Sequence, residues 1–475
     1  MQCSLKERSY KSELTYAYLR KILLYCVIQT NPHYNMRKLT FIFIAILFTE
    51  TAMAGGIITN TNQSAMFTRM LARDATLGID ATYYNPAGLT LLPNDGFFLS
   101  INNQTLGQTR IITSDYMLLN ESEYTGKISA PFFPGIYTAY KFGNFVLSAG
   151  FNPIAGGGAG TYDTGLPSFE YLIADLVPSL RLSLLPIDQG IEDAIGTNPG
   201  FSEISGYQAD IYFEGTSVFF GYQANVSYKI NEIISVALGG RYVSAKETFK
   251  GSLANIQIMA PVAYGGLQPA GTYLRTVAMT PGLDPTTVTT LEGTADVLDI
   301  VTADKEVDVE KTANGFTPII SLHIKPGDKF DLALKYEHNT KLEFTTKVND
   351  GKDGNGIYTD GEKSRLDIPA QLVAGITYRP IEPLLISTGF HYYFDKQADW
   401  NGRDTLLDGN SIEWALGLEY AISKKFSISA GYLYTNTAVS PQYQTDLDYN
   451  LASNTGGAGL AFRLNPMIEI NLGGG

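Results

Sequence analysis

Long segments in which apolar and polar residues alternate run through this chain from residue 97 onward. In Ile412–Ile422 every even position is apolar, and the odd positions carry Glu, Ala or Gly. Alternation with a period of two is typical of a strand whose two faces meet different surroundings. Runs such as Phe330–Phe344 exceed the roughly five or six residues of a soluble strand and reach the roughly 9–11 of a tilted membrane-spanning strand. The lengths therefore favour a transmembrane barrel over a soluble sandwich.

The connections between these segments are alternately short and long. Gly143-Asn144 and Ser423-Lys424 are tight turns, whereas residues 156–215 and 247–312 are long loops. This alternation is typical of a barrel with short periplasmic turns and long outer loops. The predicted fold is all-β, an antiparallel transmembrane β-barrel over residues 97–475. Its thirteen predicted strands are 97–106, 131–142, 145–155, 216–230, 233–246, 313–324, 329–346, 364–379, 384–397, 410–422, 425–437, 453–464 and 467–473.

Thirteen strands conflict with the usual architecture of such barrels. Bacterial single-chain barrels have even strand numbers, because every strand edge must be paired. The last predicted strand stops at Gly473-Gly474-Gly475. We therefore expect the C-terminal strand to be incomplete and a fourteenth strand to be missing.

The N-terminal region carries an export signal that begins unusually late. Met36-Arg37-Lys38 is a short basic stretch, an apolar stretch of about ten residues follows it, and Ala52-Met53-Ala54 matches a signal-peptidase site. We expect residues 1–35 to be an over-extended start and residues 36–54 to be a signal peptide. No apolar stretch is long enough for a transmembrane helix. An exported chain of amphipathic strands indicates the outer membrane of a diderm (Gram-negative) bacterium.

Charge and histidine content exclude several classes of function. The formal net charge of −13 argues against nucleic acid, which is bound through Lys and Arg. His323, His338 and His391 lie in no catalytic or metal-ligand motif, so we expect no enzyme activity, cofactor or metal site. Residues 351–362 match four positions of a calcium loop, but Gly351 supplies no ligand at the first, which favours a flexible turn.

One short motif near the N-terminus resembles a known family. Tyr83-Tyr84-Asn85-Pro86-Ala87-Gly88-Leu89, together with Gln63-Ser64-Ala65, Asp80-Ala81 and Asp367–Leu372, is similar to the FadL/TodX family of outer-membrane transporters for long-chain fatty acids and other hydrophobic compounds. The resemblance implies an N-terminal hatch at residues 55–96 inside a fourteen-stranded barrel (residues 97–475), with the hatch motif at Asn85, Pro86 and Ala87. It implies passive uptake of hydrophobic molecules, with long-chain fatty acids as the leading substrate. An adhesin or receptor barrel and an outer-membrane lipase remain alternatives.

The third predicted strand is interrupted by proline and glycine. Such residues mark a bulge or bend inside a strand. In the family a kink in the third strand makes a lateral gap in the wall, and the matching residues here are Asn152, Pro153, Gly156, Gly157 and Gly158. The alternative is that these glycines only begin the following loop.

Two further groups of residues are candidates for contact with a substrate. Apolar residues in loops that should be polar suggest a surface that captures a hydrophobic ligand, although the loops could instead pack on one another. These capture candidates are Phe169, Leu172, Leu176, Ile256, Ile258 and Met259. Charges predicted to face the lumen, which we expect mainly to fix the hatch, are Asp331, Lys335, Glu337, Lys341 and Arg365.

The expected partners follow from the predicted location. They are a hydrophobic, fatty-acid-like ligand, outer-membrane lipid and lipopolysaccharide, and the barrel-assembly machinery. We expect the barrel to be a monomer and to bind no nucleic acid.

Overall fold

The computed structural model describes residues 56–475. The predicted N-terminal extension (1–35) and signal peptide (36–54) lie outside these residues. Within the described range, no helix is both long and apolar enough to cross a membrane.

An antiparallel sheet in which each main strand pairs with the next along the chain forms the barrel wall. Its main path contains thirteen strands, the number predicted, with β1 and β16 at its two edges. The fourteenth strand stays a prediction. The main strands are β1 (Gly96–Thr113), β2 (Glu123–Phe142), β3 (Phe145–Tyr162), β4 (Tyr207–Lys229), β5 (Ile234–Met259), β7 (Lys305–Ile324), β8 (Phe330–Glu337), β11 (Gln371–Ile381), β12 (Leu384–Tyr393), β13 (Ile412–Ser423), β14 (Phe426–Asn436), β15 (Ser453–Asn465) and β16 (Ile468–Gly474). Three further strands lie off this path: β6 (Leu267–Gln268), β9 (Glu343–Asp353) and β10 (Lys363–Arg365).

The strands expose their apolar faces and bury their polar faces. On β13, Trp414 is 45% exposed, whereas its neighbour Glu413 is 1% exposed. On β8, Leu334 is exposed and Lys335 is buried. This arrangement is the reverse of a soluble sandwich and matches a barrel whose outer surface meets lipid.

The predicted strands 329–346 and 364–379 are each broken in two, which corrects the sequence interpretation. Pro318 of β7 lies at the break and has no N–H to donate to a neighbouring strand. Beyond it, Thr340 bridges to Ile368, and β9 pairs with β7 separately from β8. The inward face changes from odd positions in β8 to even positions in β9, because one irregular stretch shifts the pleat.

The long connections fold into helices and extend the strands further than predicted. The helices are α3 (Pro167–Ala174), α4 (Leu176–Ile195), α5 (Ala270–Ala278) and α6 (Pro285–Val301). Asp284 begins α6 by accepting hydrogen bonds from the N–H groups of Thr286 and Thr287. The four helices pack against the ends of β4 and β5 in an apolar cluster that we call the cap cluster; it includes Leu180, Leu184, Ile258, Tyr273, Leu274 and Leu298.

Residues 56–95, here called the N-terminal segment, pack against the inward faces of the strands. The segment contains two short helices, α1 (Ala65–Arg69) and α2 (Ala81–Tyr84), and a 3-10 helix at Pro86–Leu91. Ser64 caps α1 by accepting a hydrogen bond from Phe67 N at 3.0 Å, and its hydroxyl donates to Asp80. Asp80 also accepts two hydrogen bonds from Arg73. These bonds tie the two helices together.

Candidate functional site

The Asn-Pro-Ala motif is buried against polar side chains of two strands, β4 and β7. Asn85 Nδ2 lies 3.0 Å from His323 Nδ1 on β7 and donates to Thr76 O within the segment. Ser227 of β4 donates to the Pro86 carbonyl at 2.7 Å, and the Ala87 N–H donates to Ser321 of β7 at 3.4 Å. The motif is therefore held mainly through backbone groups and one amide.

Residues just before the motif are held in the same way. Gln223 and Asn225 of β4 both donate to the Thr82 carbonyl, at 2.7 and 3.1 Å. Lys335 of β8 donates to the Tyr83 carbonyl at 2.9 Å. Buried polar side chains of the wall thus supply partners for a helix end that would otherwise be unsatisfied.

An ionic cluster lies beside Tyr83. Arg241 of β5 makes a two-pronged ion pair with Glu337, at 2.6 and 2.9 Å, and Lys335 adds a contact to Glu337 at 2.8 Å. The guanidinium and the ammonium both lie over the Tyr83 ring, 4.8 and 4.6 Å from its centre. All four side chains are buried. Such clusters specify a single arrangement, because each charge depends on its partners.

A second buried cluster joins the N-terminal segment to β12 and β13. His391 lies between two carboxylates, 2.8 Å from Asp74 Oδ1 and 2.9 Å from Glu413 Oε2. Both ring nitrogens meet acceptors, which is the arrangement of an imidazolium. Glu413 also accepts from Tyr393 and from Thr61 of the segment, each at 2.7 Å. The cluster fixes the segment to the wall at two points.

The wall is interrupted between β2 and β3. The two strands pair from Phe142↔Phe145 to Ile136↔Phe151 and pair again only from Ser129↔Ala159. Residues 130–135 of β2 therefore have no partner on β3, and β3 is also irregular against β4 at Pro153–Gly158. We call this interruption the wall gap. It lies where the sequence predicted a kink.

Glycine geometry explains why the wall gap lies at this point. Gly156 and Gly158 have φ angles of +89° and +86°, a conformation that residues with a side chain rarely adopt. A Cβ atom on Gly156 would lie 2.3 Å from the Ser217 carbonyl oxygen, and one on Gly158 would lie 2.6 Å from that of Ser129. Glycine is therefore required at both positions.

The N-terminal segment covers the wall gap from inside. Asn60 N donates to Ile154 O, and Asn60 Nδ2 donates to Gly156 O, both at 2.8 Å. Asn152 Nδ2 donates to Gln63 Oε1 at 2.6 Å. Residues that precede the Asn-Pro-Ala motif thus bond directly to the residues around the wall gap.

The predicted lumen charges divide into two groups. Asp331, Lys335 and Glu337 are buried inside the barrel. Lys341 is exposed, on the opposite face from the buried Leu342, because the break after β8 shifts the pleat; its placement in the lumen was wrong. Arg365 is half-buried and pairs with Asp367 (2.7 Å) and Asp399 (3.5 Å) rather than with the β8 charges.

Sequence reasoning missed several inward residues that complete these clusters. Arg241 and Glu413 stand at inward positions of their strands. The alternation that located the strands also marked these positions as opposite to the apolar face. Their partners could not be read in the same way, because Arg241 and Glu337 are 96 residues apart.

The predicted capture residues belong mostly to the cap rather than to an open apolar surface. Ile256 and Ile258 lie on β5 and are buried in the cap cluster, which Leu176 also contacts. Phe169 is half-buried, with its ring 5.5 Å from that of Phe213. The exposed members are Leu172 and Met259.

The histidines form no hydrolase site in the described residues. His323 contacts Asn85 and Asp331, His338 contacts Tyr336, and His391 contacts carboxylates and a tyrosine, so none meets a serine hydroxyl within residues 56–475. In the same range, no group of three or more His, Cys, Asp or Glu side chains is placed to hold a metal ion.

Solved structures with a similar chain path include a FadL homologue and two toluene transporters. A Pseudomonas aeruginosa FadL homologue superposes with a TM-score of 0.56 and 12% identity, over 88% of this chain and 90% of that one. The toluene transporter TodX of Pseudomonas putida gives a TM-score of 0.49 at 12% identity, over 89% and 92% of the two chains. The toluene transporter TbuX of Ralstonia pickettii gives 0.47 at 14%, over 83% and 87%.

Sequence comparison adds no further relative. No protein-family profile matches the chain, and no curated protein matches it significantly. The likeness to the FadL homologue confirms, at the level of architecture, the resemblance predicted from the Asn-Pro-Ala motif. This chain has the same fold, a transmembrane β-barrel, and its own N-terminal segment lies inside that barrel.

Proposed function

We propose that this protein is a passive transporter of hydrophobic small molecules in the outer membrane of a diderm bacterium, with long-chain fatty acids as the leading substrate. The N-terminal segment acts as the hatch, and the wall gap is the exit through which substrate leaves sideways into the membrane. Sideways release suits such a substrate, because it avoids a watery route. We place the short turns on the periplasmic side of the membrane and the cap cluster on its outer side.

One observation carries the proposal: the wall gap and the N-terminal segment are bonded to each other. Asn60 and Gln63 meet β3 where its pairing with β2 stops. A simple pore would need no gap, and a purely structural plug would need no contact with it. The outward apolar faces and the FadL-like architecture support the membrane location. Two of the compared proteins are toluene transporters, which supports hydrophobic molecules as the class of substrate.

Uptake of labelled oleate and labelled toluene by cells that lack their own transporter tests this function. We expect deletion of Asn85-Pro86-Ala87, and separately Gly156→Ala with Gly158→Ala, to abolish uptake while the barrel still assembles. Gly160→Ala is the matched control, because a Cβ there meets its nearest atom at 3.5 Å. Normal uptake in both the deletion and the double variant would refute the mechanism.

A further inference from the structure

A buried histidine of the barrel wall contacts the Asn-Pro-Ala motif close to the short-turn end of β7. His323 is 1% exposed and is the residue before Ile324, with which β7 ends. Its Nδ1 lies 3.0 Å from Asn85 Nδ2, and its Nε2 lies 3.2 Å from Asp331 Oδ1. His323 therefore links the motif to the charged residues of the wall.

The hydrogen bonds around Asn85 assign the protonation state of this histidine. Asn85 Nδ2 carries two N–H donors and lies 3.0 Å from both the Thr76 carbonyl oxygen and His323 Nδ1. A carbonyl oxygen can only accept, so the amide nitrogen of Asn85 has to face Thr76. His323 Nδ1 then accepts the second N–H, and Nε2–H donates to Asp331. His323 is therefore a neutral imidazole while the motif is docked against the wall.

A proton on His323 Nδ1 would break this arrangement. An imidazolium carries N–H groups on both ring nitrogens, so the new N–H would point at an N–H of Asn85. Rotation of the amide by half a turn would offer the imidazolium Asn85 Oδ1, which has no hydrogen-bond partner among residues 56–475. The same rotation would place that oxygen against the Thr76 carbonyl. In either orientation one buried hydrogen bond of the docked motif is lost.

The charges around His323 do not offset this loss, because those of the wall stay in place whether or not the motif is docked. Asp331 is paired with Arg379 of β11, and Lys335 lies further along β8. On β5, the residue opposite His323 is the uncharged Ser235. The charged residues of the N-terminal segment are paired elsewhere or exposed; they are Arg69, Arg73, Asp74, Asp80 and Asp95. Docking therefore changes the contact of His323 with Asn85 rather than its charged surroundings.

Water can approach this site from the short-turn end of the barrel. A cavity of about 320 Å³ lies there, and Thr76 and Arg379 are among the residues that line it. These two residues bond to Asn85 and Asp331, the two partners of His323. The histidine is thus one side chain away from a space that is large enough for water molecules.

We propose that the contact between Asn85 and His323 is a pH-sensitive latch, in which protonation of His323 releases the Asn-Pro-Ala motif from the barrel wall. The docked motif requires the neutral imidazole, so the released state binds one proton more and acid favours release. The inference deepens the proposed function and rests on it for the role of the N-terminal segment as the hatch. It assigns a regulator, acidity on the short-turn side, to that segment.

Hydrogen exchange in the purified full-length barrel tests the latch. Protection of residues 81–92 is measured at pH 5 and pH 8, the range in which imidazole changes charge, and is corrected for the intrinsic exchange rate at each pH. We expect protection to be about tenfold lower at pH 5, which corresponds to the loss of one buried hydrogen bond. His323→Asn supplies a neutral acceptor in place of Nδ1 and should remove this difference. His338→Asn, at an exposed histidine that contacts Tyr336, is the matched control and should retain it.

A second variant tests the direction of the effect and does not depend on the folding of His323→Asn. Asn85→Asp places a carboxylate against Nδ1, so that protonated His323 becomes the favoured partner and protection should be higher at pH 5 than at pH 8. Equal protection of the parent protein at both pH values, or a pH difference that persists in His323→Asn, would overturn the latch. Oleate uptake by a barrel without the pH response defeats the latch alone. The pH response in a barrel that takes up neither oleate nor toluene supports the latch and defeats the proposed function.

Discussion

Asn152 of β3 donates its side-chain amide to Gln63 of the N-terminal segment, 2.6 Å away, at the point where β3 stops pairing with β2. Both residues are buried. The bond therefore joins the N-terminal segment, which we propose to be the moving element, to the edge of the wall gap, which we propose that it covers.

Removal of this bond should loosen the segment without unfolding the barrel. We expect Gln63→Leu to weaken the docking of residues 59–63 by about 1–3 kcal/mol, because it leaves the Asn152 amide buried without its acceptor. Hydrogen exchange of the 59–63 amides should rise, while exchange in β13 and β14 stays unchanged. Asn144→Ala, in a short turn, serves as the control. Unaltered exchange in Gln63→Leu would mean that the contact does not hold the segment in place.

Loss of His391 alone should destabilise the barrel more than loss of His391 together with its two carboxylate partners. His391→Gln leaves Asp74 and Glu413 buried without a cation, and breaking such an arrangement costs about 3–5 kcal/mol. The triple variant Asp74→Asn, His391→Gln, Glu413→Gln carries no buried charge at this site and should recover part of that loss. Thermal unfolding of the purified barrel measures both effects. A triple variant less stable than the single one would contradict this account.

The outward apolar faces predict where a charge is tolerated. Leu416 is exposed on the outer face of β13, and Val262 is exposed in the cap. Leu416→Lys should destabilise the folded barrel by about 2–4 kcal/mol, because it places an ammonium in the lipid band. Val262→Lys should change little. Chemical unfolding from lipid vesicles compares them, and equal effects would argue against the membrane orientation proposed here.

Asp395, in the connection between β12 and β13, predicts a dependence on pH. Burial raises the pKa of its carboxyl, and Ser411 N donates to it at 2.7 Å. A carboxyl whose folded-state pKa is raised favours the folded loop at low pH, and this contribution is lost as the pH rises through that pKa. The amides of residues 394–411 should therefore exchange more slowly in Asp395→Asn than in the parent protein at pH 7. At pH 3 the two proteins should exchange at the same rate. Hydrogen exchange of the two proteins at matched pH checks this. Greater protection of the parent at pH 7 would reverse the sign.

The period of two was sufficient to locate the strands but not the places where they break. Thirteen main strands could be counted because each kept one apolar face, as Trp414 and Leu416 do on β13. The break after β8 escaped detection because Pro318 is on another strand, β7, and meets this stretch only in the folded sheet, where His338 N donates to the Pro318 carbonyl. The misplacement of Lys341 followed from extending the alternation through that break.

The candidate site was predictable where a local conformation determines it. Proline and glycine at 153–158 marked the wall gap because their backbone requirements are local. The clusters around Arg241 and His391 could not be predicted as clusters, since their members are distant in sequence. The cap likewise depends on contacts between loops that are distant in sequence. Because of these contacts, residues such as Ile258, which were predicted to form an open capture surface, are buried in the cap cluster.

The way in which the wall holds the N-terminal segment has an evolutionary consequence. Side chains of the wall bond to the carbonyl oxygens of Thr82, Tyr83 and Pro86, and a carbonyl oxygen is the same whichever amino acid carries it. These three bonds place no demand on the side chain that carries the carbonyl, whereas Gln223, Lys335 and Ser227 must keep a donor. At Tyr83 the ring is held separately, by the cations of Arg241 and Lys335. In the transporter that we propose, the residues that line the passage can therefore change without loss of these attachments of the N-terminal segment.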